Sequence, residues 1–290
     1  MSNVNFMLPD VEVNQYRKAE PLKAVLVEKK IIVEGETGSD VCHLVFDTKD
    51  YKYREGQSAA IIPPGETENG KPHNPRLYSI ASIGNDIENA EKMTLCVRRL
   101  IYTDEAGNEK KGVCSNYVCD LKAGDEVLMT GPSGRKYLLP DEKEINRPYV
   151  FIATGTGIAP FRGMVQRLFK HTESFSGKVY LFFGARYKSE MMYEDEFESL
   201  KNDNFYYVQA ISREQKNSQG GRMYVHHRMI EMKKELSEVF KNDKTLVYVC
   251  GLKGMEDGLE EAFRAISTEM GESENYLSDN MEGRILKEVY

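Results

Sequence analysis

The sequence contains no tryptophan, no long apolar run and no excess of basic residues. A membrane-spanning helix needs about 18 or more consecutive apolar residues, so no membrane span is predicted. The formal net charge of −7 argues against general nucleic-acid binding, which depends on clustered Lys and Arg. With 290 residues, 40% apolar and 29% charged, the composition is typical of a globular protein with two domains.

The cysteines form no CxxC pair, and no histidine lies near them at the spacing of a zinc site. Their apolar neighbours predict free, buried thiols. These residues are Cys42, Cys96, Cys114, Cys119 and Cys250. The neighbouring His226 and His227 would point about 100° apart on a helix, which favours solvated side chains over metal ligands. No metal site is predicted.

The first residues, MSNVNFMLPDVEVNQ, have no basic start followed by an apolar stretch, so a secretory signal is not expected. The default expectation is a cytoplasmic protein, although a processed organellar form would look the same. Residues 1–20 are predicted to form a loosely ordered arm.

From Leu22 to Leu139 the chain is rich in short β-type segments separated by Gly, Pro, Asn and Asp. The predicted strands are KAVLVEKKIIV, CHLVFDT, SAAIIP, RLYSIAS, KMTLCVRRLIY and DEVLMTGP. Six strands at this spacing indicate an antiparallel barrel or sandwich. A polar hairpin is predicted at Thr103–Gly112, followed by a short helix around Ser115–Cys119.

After a charged, proline-flanked linker at Pro140–Pro148, strands and helices alternate. PYVFIAT, KVYLFFGAR, FYYVQAIS and TLVYVCG are nearly continuous apolar strands, as in a parallel sheet covered on both faces. The predicted helices are IAPFRGMVQRLFK, Met191–Lys201, Val225–Phe240 and Met255–Ser267. The first has Phe161, Met164, Val165 and Leu168 on one face. We therefore predict an arm (1–20), a β domain (21–142) and an α/β domain (143–290).

The segment Arg76-Leu77-Tyr78-Ser79 carries a cation, an aromatic ring and a hydroxyl on one short strand. Because side chains alternate along a strand, Arg76 and Tyr78 share one face, and Leu77 and Ser79 share the other. A face with Arg and Tyr suits a ligand that has an anionic part and a planar aromatic part, such as a flavin nucleotide. An ordinary half-buried strand is the alternative.

The segment Thr154–Pro160 (TGTGIAP) joins a predicted strand to a predicted helix. Its glycines let a ligand approach the backbone, and the start of the helix presents free N–H groups to a phosphate. Because the spacing is GxGxxP rather than the full dinucleotide fingerprint, the context of strand, turn and helix carries the prediction. Nucleotide binding is favoured over a plain tight turn.

Polar and glycine-rich residues follow two later strands. Ser212 and Arg213 end one strand, and Arg222 and Tyr224 follow soon after. An Arg with Ser and Tyr hydroxyls suits a ribose 2′-phosphate, whereas a solvated loop is an equally open alternative. At Cys250–Met255 a thiol at a strand end could touch a nicotinamide or could simply be a small buried residue.

Longer motifs occur in an order that resembles plant-type ferredoxin–NADP⁺ reductases from about residue 12 to the end. The motifs are YREGQS (53–58), NGKPHNPRLYSIAS (69–82), CVRRLIYTDEAG (96–107), KGVCSNYVCDLKAGDEVLMTGPSG (111–134), TGTGIAPFRG (154–163), SREQ (212–215), MY (223–224), YVCGLKGMEDGLEE (248–261) and the final EVY. The resemblance implies an antiparallel FAD-binding β-barrel followed by a Rossmann-like, parallel-sheet NADP(H)-binding domain.

The resemblance also implies roles for residues of the β domain. Arg76 would pair with the flavin pyrophosphate, Tyr78 would pack on the isoalloxazine ring, and Ser79 would reach its N5 atom. The other implied FAD contacts are Leu77, Cys96, Val97, Arg98 and Leu100 along the flavin, Tyr102 against the adenine, and Gly112, Val113, Cys114 and Ser115 at the pyrophosphate.

In the α/β domain the resemblance implies that Tyr290 covers the flavin face that hydride must reach. Cys250 and Glu288 would complete the hydride site, and Glu288 with Ser79 would relay a proton. The implied NADP(H) contacts are Thr154, Gly155, Gly251 and Leu252 near the nicotinamide nucleotide, and Ser212, Arg213, Arg222 and Tyr224 at the 2′-phosphate and adenine.

The implied activity is exchange of hydride between NADP(H) and FAD, and of single electrons between FAD and a separate ferredoxin or flavodoxin. A group of basic residues could form a docking surface for an acidic electron-carrier protein. These residues are Lys71, Arg98, Arg99, Lys110 and Lys111. A monomer is expected. The alternatives are an NADPH-dependent reductase that serves a dedicated oxygenase or a quinone, and a non-catalytic flavin redox sensor.

The chain departs from plastid members of that family in four respects. The segment GARYKSEMMYEDEF (184–197) replaces a GVPTSSS-like stretch, His226 stands where Gln is usual, Arg222 replaces Lys, and tryptophan is absent. These departures indicate a bacterial or otherwise non-photosynthetic member.

Overall fold

The computed structural model describes residues 5–35, 38–88 and 92–290. The chain forms two compact units. The first, here called the β unit, contains 10–138 and 159–167. The second, the α/β unit, contains 5–9, 139–158 and 168–290. These units differ from the predicted arm (1–20), β domain (21–142) and α/β domain (143–290). Residues 5–9 and 139–142 belong to the α/β unit, and residues 10–20 and 159–167 belong to the β unit. Residues 1–4 of the predicted arm lie outside the described residues.

The β unit contains an antiparallel six-stranded sheet in the order β4-β3-β8-β1-β2-β5. Its strands are β1 (Leu22–Val33), β2 (Val41–Asp47), β3 (Ser58–Ile62), β4 (Arg76–Ser79), β5 (Met93–Arg98) and β8 (Glu126–Ser133). A bridge between Ile80 and Leu95 and a hydrogen bond from Ala81 N–H to the Thr94 carbonyl (2.8 Å) join the two edge strands. The sheet therefore closes into a barrel-like structure, which resolves the predicted choice between barrel and sandwich.

The predicted hairpin is present as β6 (Ile101–Thr103) and β7 (Glu109–Lys111), and α1 spans Val113–Asp120. The expectation that KMTLCVRRLIY forms one strand is wrong. β5 ends at Arg98, opposite the first residue of β2, and one further hydrogen bond in the same register, from the Arg99 N–H to the Asp40 carbonyl (2.8 Å), follows it. The chain then turns into the separate hairpin.

The core of the β unit follows the alternation of its strands. On β2, the side chains of Leu44 and Phe46 are fully buried, whereas those of His43 and Val45 are only partly buried. Each such buried Leu or Phe contributes about 1.5–3 kcal/mol relative to an exposed side chain. The Tyr51 hydroxyl donates to the Thr130 carbonyl (3.0 Å), so this buried phenol has its partner.

Helix α2 (Ala159–Lys170) has a buried apolar face, as predicted. Its first nine residues pack in the β unit, where Arg167 is almost completely buried and donates to Glu55 (2.9 Å) and Asp86 (2.5 Å). Gly163 lies so close to the backbone that an added Cβ would be 2.5 Å from the Ser82 carbonyl oxygen. A buried ion pair and a close backbone contact thus fix this part of the helix.

The α/β unit is a five-stranded parallel sheet in the order β11-β10-β9-β12-β13. Its strands are β9 (Tyr149–Thr154), β10 (Val179–Ala185), β11 (Phe205–Ile211), β12 (Leu246–Gly251) and β13 (Ile285–Val289). The first four were predicted as apolar runs, but β13 was not. Because all five are parallel, their carboxyl ends lie at one edge of the sheet, where ligands of this fold class bind.

The remaining helices are α3 (Glu194–Ser199), α4 (Val225–Glu231), α5 (Lys233–Phe240), α6 (Glu256–Glu269) and α7 (Tyr276–Asn280). The single predicted helix Val225–Phe240 is wrong, because the backbone at Met232 (φ −101°, ψ 21°) departs from helical geometry and separates α4 from α5. α3 is also shorter than predicted.

All five cysteines are free and buried, as predicted. A hydrogen bond with the Cys119 thiol is the main cause that lowers the pKa of Cys42. Among the described residues, no cluster of three or more potential metal ligands is present. None of the helices in this part of the chain has the length and apolar character needed to cross a membrane.

Candidate nucleotide-binding sites

The strand β4 places the predicted flavin-contacting residues beside β3, with Arg76 opposite Ile61 and Ser79 opposite Ser58. Arg76 is exposed and makes no ion pair with the described residues, while Tyr78 packs against the barrel core. Burial raises the pKa of the Tyr78 phenol, and the nearby Cys114 thiol adds to this effect. β4 therefore presents a cation to solvent and a neutral aromatic ring beside α1.

The start of α1, where pyrophosphate contacts are predicted, carries neither a capping side chain nor an acidic residue. Gly112 precedes the helix and has no side chain to cap it, and no acidic residue lies in the first turn. An added Cβ at Gly112 would be 2.8 Å from Ser115 Oγ and 3.0 Å from Leu100 Cβ, so a side chain at this position would require Ser115 or Leu100 to shift. The Asn116 amide donates to the carbonyls of Leu100 (2.9 Å) and Gly112 (2.8 Å) and holds the preceding loop in place. The free N–H groups of the first turn remain available for a phosphate.

The other residues predicted to contact FAD differ in their burial and in their hydrogen bonds. Cys96 and Val97 on β5 are buried, so contact with a ligand would involve their backbone rather than their side chains. The Arg98 guanidinium donates to the Ser39 carbonyl (3.3 Å). Ser115 Oγ accepts from the Leu100 N–H (3.1 Å) and donates to the Gly112 carbonyl (3.3 Å).

Exposed large apolar side chains concentrate at the predicted cofactor contacts. Of the eleven in the described chain, seven belong to that predicted set. They are Leu77, Leu100, Tyr102 and Val113 in the β unit, and Tyr224, Leu252 and Tyr290 in the α/β unit.

In the α/β unit, two glycine turns meet at the carboxyl ends of β9 and β12. Gly155 has a positive φ of 54°, and no atom lies within 4 Å of the Cβ position, so this side of the turn is open. At Gly157 an added Cβ would be only 2.1 Å from the Cys250 carbonyl oxygen. Glycine at 157 therefore lets the turn pack on β12, while Gly155 leaves room for a ligand.

Thr154 connects these two turns. Its Oγ1 accepts the Leu252 N–H (3.1 Å), and an added Cβ at Gly251, whose φ is 144°, would lie 2.2 Å from the same oxygen. The structure thus brings together the predicted residues Thr154, Gly251 and Leu252. The exposed side chain of Leu252 lies at this edge of the sheet.

The end of the chain reaches the same edge through β13. The register pairs Glu288 with Cys250, and the Tyr290 N–H donates to the Gly251 carbonyl (3.0 Å). The Tyr290 hydroxyl is hydrogen-bonded to Thr156 Oγ1 (2.8 Å). Three predicted catalytic residues therefore lie in one part of the α/β unit, whereas the fourth, Ser79, belongs to the β unit.

Sequence reasoning did not single out Thr156. The available signal was a hydroxyl residue between the two glycines of the TGTGIAP turn, but its partner is 134 residues away in the sequence. Only the unpredicted strand β13 brings that partner to the turn.

Burial raises the pKa of the Glu288 carboxyl from 4.5 to about 7, and no cation contributes to the shift. Within the described residues the carboxyl makes no ion pair. A carboxyl that changes protonation state near neutral pH is suited to proton transfer.

The four residues predicted at a 2′-phosphate lie beyond the end of β11. The N–H groups of Ser212 and Arg213 donate to the carbonyls of Ala185 and Arg186 (both 2.9 Å), which ties this segment to the end of β10. Arg213 and Arg222 are exposed, and neither side chain forms an ion pair with the part of the chain described here. Two uncompensated guanidinium groups near a sheet edge favour an anion site.

The expectation that His226 and His227 are solvated is wrong. Both are partly buried, and their rings lie 4.0 Å apart between centroids. His226 packs so closely on α6 that an added Cβ at Gly258 would be 2.3 Å from its Nδ1, and burial lowers its pKa. His227 Nδ1 accepts the Tyr224 N–H (3.0 Å), and the Tyr224 ring stacks 5.8 Å from each imidazole. The two imidazoles thus hold the backbone and the ring of Tyr224 in place.

A cavity of about 480 Å³ lies against β11, away from the predicted residues. Its lining includes Lys188, Glu194, Lys201, Tyr207 and Arg228. Lys188 pairs with Glu194, and the Arg228 guanidinium donates to the Gln209 carbonyl (3.0 Å), so many of its polar groups already have partners.

The chain is similar to known proteins in sequence and in fold. The family model described as Oxidoreductase NAD-binding domain matches residues 151–261. The chain is 46% identical over 272 residues to the ferredoxin–NADP reductase of Synechocystis sp., covering 90% of this chain and 65% of that protein. It is 44% identical over 270 residues to a chloroplastic leaf isozyme of ferredoxin–NADP reductase from Oryza sativa subsp. indica, covering 90% and 74%. The chain thus spans a little less than two thirds of the cyanobacterial relative.

A solved structure of the Plasmodium falciparum ferredoxin–NADP⁺ reductase with 2′P-AMP has the same fold. The TM-score is 0.74 at 27% sequence identity, and the match covers 99% of this chain and 100% of the other.

Proposed function

The chain belongs to the ferredoxin–NADP reductase family, and from that premise we propose that it is an FAD-dependent oxidoreductase that exchanges electrons between NADP(H) and ferredoxin. One observation carries the proposal most directly. A glycine turn at Gly155, a half-buried carboxyl at Glu288 and the terminal Tyr290 lie at the carboxyl edge of one parallel sheet. This is where a nicotinamide nucleotide binds in such folds.

The β unit fits FAD. The start of α1, without an acidic side chain, and the exposed Arg76 are suited to the pyrophosphate. Tyr78, Leu77 and Tyr102 supply aromatic and apolar surface for the two ring systems. When bound, FAD supplies exchange of hydride with nicotinamide and of single electrons with an iron–sulfur carrier.

The α/β unit fits NADP(H). The open side of Gly155 admits the pyrophosphate, and Thr154 fixes the adjoining turn through Leu252. Arg213 and Arg222 are proposed to hold the 2′-phosphate, because guanidinium groups form paired hydrogen bonds with phosphate oxygens. Such contacts would select NADP(H) over NAD(H).

Glu288 is proposed to hold or release a proton near neutral pH, with Cys250 as its neighbour in the hydride site. Ser79 is proposed as the second member of the relay. Tyr290 is proposed to occupy the place that the nicotinamide ring needs, so it must leave before hydride can pass.

The carrier is proposed to be a separate acidic protein, ferredoxin or flavodoxin, that meets a basic surface. Lys71 and Lys111 are exposed and form no ion pair within the described chain. Arg99 and Lys110, in contrast, already pair with Asp120 (2.7 Å) and Asp104 (3.6 Å). We therefore expect Lys71 and Lys111 to contribute more to docking than the other two. A monomer acting in the cytoplasm fits this proposal.

The test is steady-state reduction of cytochrome c by the purified yellow protein, with NADPH or NADH, and with or without ferredoxin. We expect a strong preference for NADPH and a large stimulation by ferredoxin. Equal rates with both nucleotides would overturn the roles of Arg213 and Arg222. An NADPH preference without stimulation would retain the nucleotide site and point to flavodoxin, an oxygenase or a quinone as the acceptor.

A further inference from the structure

The terminal side chain is held by a partner that the sequence did not indicate. The hydroxyls of Thr156 and Tyr290 are 2.8 Å apart and form a hydrogen bond. Thr156 belongs to the same 3₁₀ turn, Gly155–Ile158, that offers its open side to a nucleotide. The turn that would receive the pyrophosphate therefore also contacts the ring that would yield to nicotinamide.

The backbone of Tyr290 is fixed independently of this contact. Its N–H donates to the Gly251 carbonyl (3.0 Å), and its main-chain oxygen accepts a longer hydrogen bond from the Lys253 N–H (3.4 Å). β13 and β12 are paired in continuous parallel register up to Val289 and Gly251. The side chain can therefore change rotamer while the backbone stays in place, and the hydroxyl contact is one that such a change must break.

Tyr290 as a whole residue is exposed over more than half of its surface, and the hydrogen bond between its hydroxyl and that of Thr156 is one directed contact that positions its ring. A hydrogen bond between two neutral hydroxyls is strong enough to bias a population and weak enough for a ligand to replace.

We propose that the hydrogen bond between the Thr156 and Tyr290 hydroxyls, here called the latch, holds the Tyr290 ring in the position described above. Binding of the nicotinamide half of NADP(H) requires this hydrogen bond to break. The inference rests on the proposed function. Thr156 is a positioning residue here, since it acts through Tyr290. The latch opposes ligands that carry a nicotinamide ring, and it has no effect on ligands that end at the adenosine half.

The test compares NADP⁺ with 2′P-AMP, which contains the 2′-phosphate but no nicotinamide, by isothermal titration calorimetry on the FAD-loaded protein. Thr156→Val keeps the side-chain shape and removes the hydroxyl. Tyr290→Phe removes the other partner. Each should tighten NADP⁺ binding by about 2- to 12-fold, the factor expected for one neutral hydrogen bond, and should leave 2′P-AMP affinity unchanged.

Two further variants separate a latch from a general structural effect. Thr156→Ser retains a hydroxyl and should bind NADP⁺ as the wild type does. The double variant Thr156→Val with Tyr290→Phe should be no tighter than either single variant, because both remove the same bond. FAD content and thermal midpoint should match those of the wild type in all four proteins.

Three results would overturn the latch: weaker NADP⁺ binding in Thr156→Val, unchanged NADP⁺ binding in both single variants, or additive effects in the double variant. The first would make Thr156 a direct ligand of the dinucleotide. Failure of the wild type to bind 2′P-AMP would instead overturn the proposed function itself, so the two failures are distinguishable.

Discussion

Glu288 lies opposite Cys250 in the parallel register of β12 and β13. The arrangement places a carboxyl whose pKa is raised to about 7 by burial next to a thiol that is itself buried. Neighbouring Lys287 does not compensate the carboxyl, because it is exposed and pairs with Glu256 (3.1 Å). The strand thus presents two faces, one with a solvated ion pair and one with a carboxyl that stays protonated up to neutral pH.

The first prediction concerns this carboxyl. Because its folded-state pKa is above 4.5, the folded protein retains a proton that the unfolded chain releases between about pH 4.5 and 7. Stability should therefore fall as pH rises through that window, by about 3 kcal/mol for a shift of this size. Glu288→Gln should remove this fall, measured as the thermal midpoint at pH 5, 6, 7 and 8.

Glu272→Gln is the matched control, since Glu272 is an exposed glutamate of the same unit. It should keep the pH dependence of the wild type. A pH dependence that survives in Glu288→Gln would show that another group titrates in this range.

The second prediction concerns nucleotide selection by Arg213 and Arg222. Loss of one charge-assisted hydrogen bond to phosphate costs about 1.5–3 kcal/mol, or roughly 10- to 150-fold in affinity. Arg222→Ala should raise the KM for NADPH by a factor in this range and leave the KM for NADH unchanged. Steady-state kinetics with both nucleotides measure the two values.

Lys170→Ala removes an exposed cation at the end of α2 and should change neither KM. If Arg222→Ala affected NADH as strongly as NADPH, its guanidinium would contact a part common to both nucleotides.

The third prediction contrasts two glycines of one turn. Gly157→Ala would place a methyl group 2.1 Å from the Cys250 carbonyl oxygen, so the turn must move off β12 and the thermal midpoint should fall. Gly155→Ala meets no atom within 4 Å and suffers only the left-handed backbone cost of about 1–2 kcal/mol. It should fold but lose affinity for NADP⁺, because the methyl group fills the open side of the turn.

Circular dichroism on heating and calorimetry with NADP⁺ separate the two outcomes. Unchanged NADP⁺ affinity in a folded Gly155→Ala protein would contradict the placement of the pyrophosphate at this turn.

The sequence predicted those strands and helices that are marked by the pattern of apolar residues within the element itself. The apolar runs of β9 to β12 and the apolar face of α2 are examples, because period and composition alone identify them. The patterns failed where a helix breaks without a Gly or Pro. At Met232 the flanking residues Glu231, Lys233 and Lys234 all favour helix, so no local signal marked the boundary between α4 and α5.

Features that depend on distant partners could not be read from the sequence. Arg167 is buried because Glu55 and Asp86, 112 and 81 residues away, supply its carboxylates. His226 is partly buried because Gly258 on α6 leaves room for its ring. Motif matching located candidate site residues such as Cys250 and Tyr290, but their geometry required β13, whose short mixed segment ILKEV gives a weak strand signal.

The last prediction concerns FAD retention by the β unit. Arg76 is exposed on β4 with no ion pair among the described residues, so its guanidinium is available to a phosphate. Arg76→Ala should raise the Kd for FAD by about 10- to 150-fold, on the same charge-assisted hydrogen-bond estimate, and lower the FAD-to-protein ratio after purification. Arg17→Ala, another exposed arginine of the β unit, should retain FAD fully. Fluorescence of released FAD measures the Kd, and unchanged far-UV circular dichroism shows that the fold is intact. Equal loss of FAD from both variants would show that general positive charge, rather than the position of Arg76, retains the cofactor.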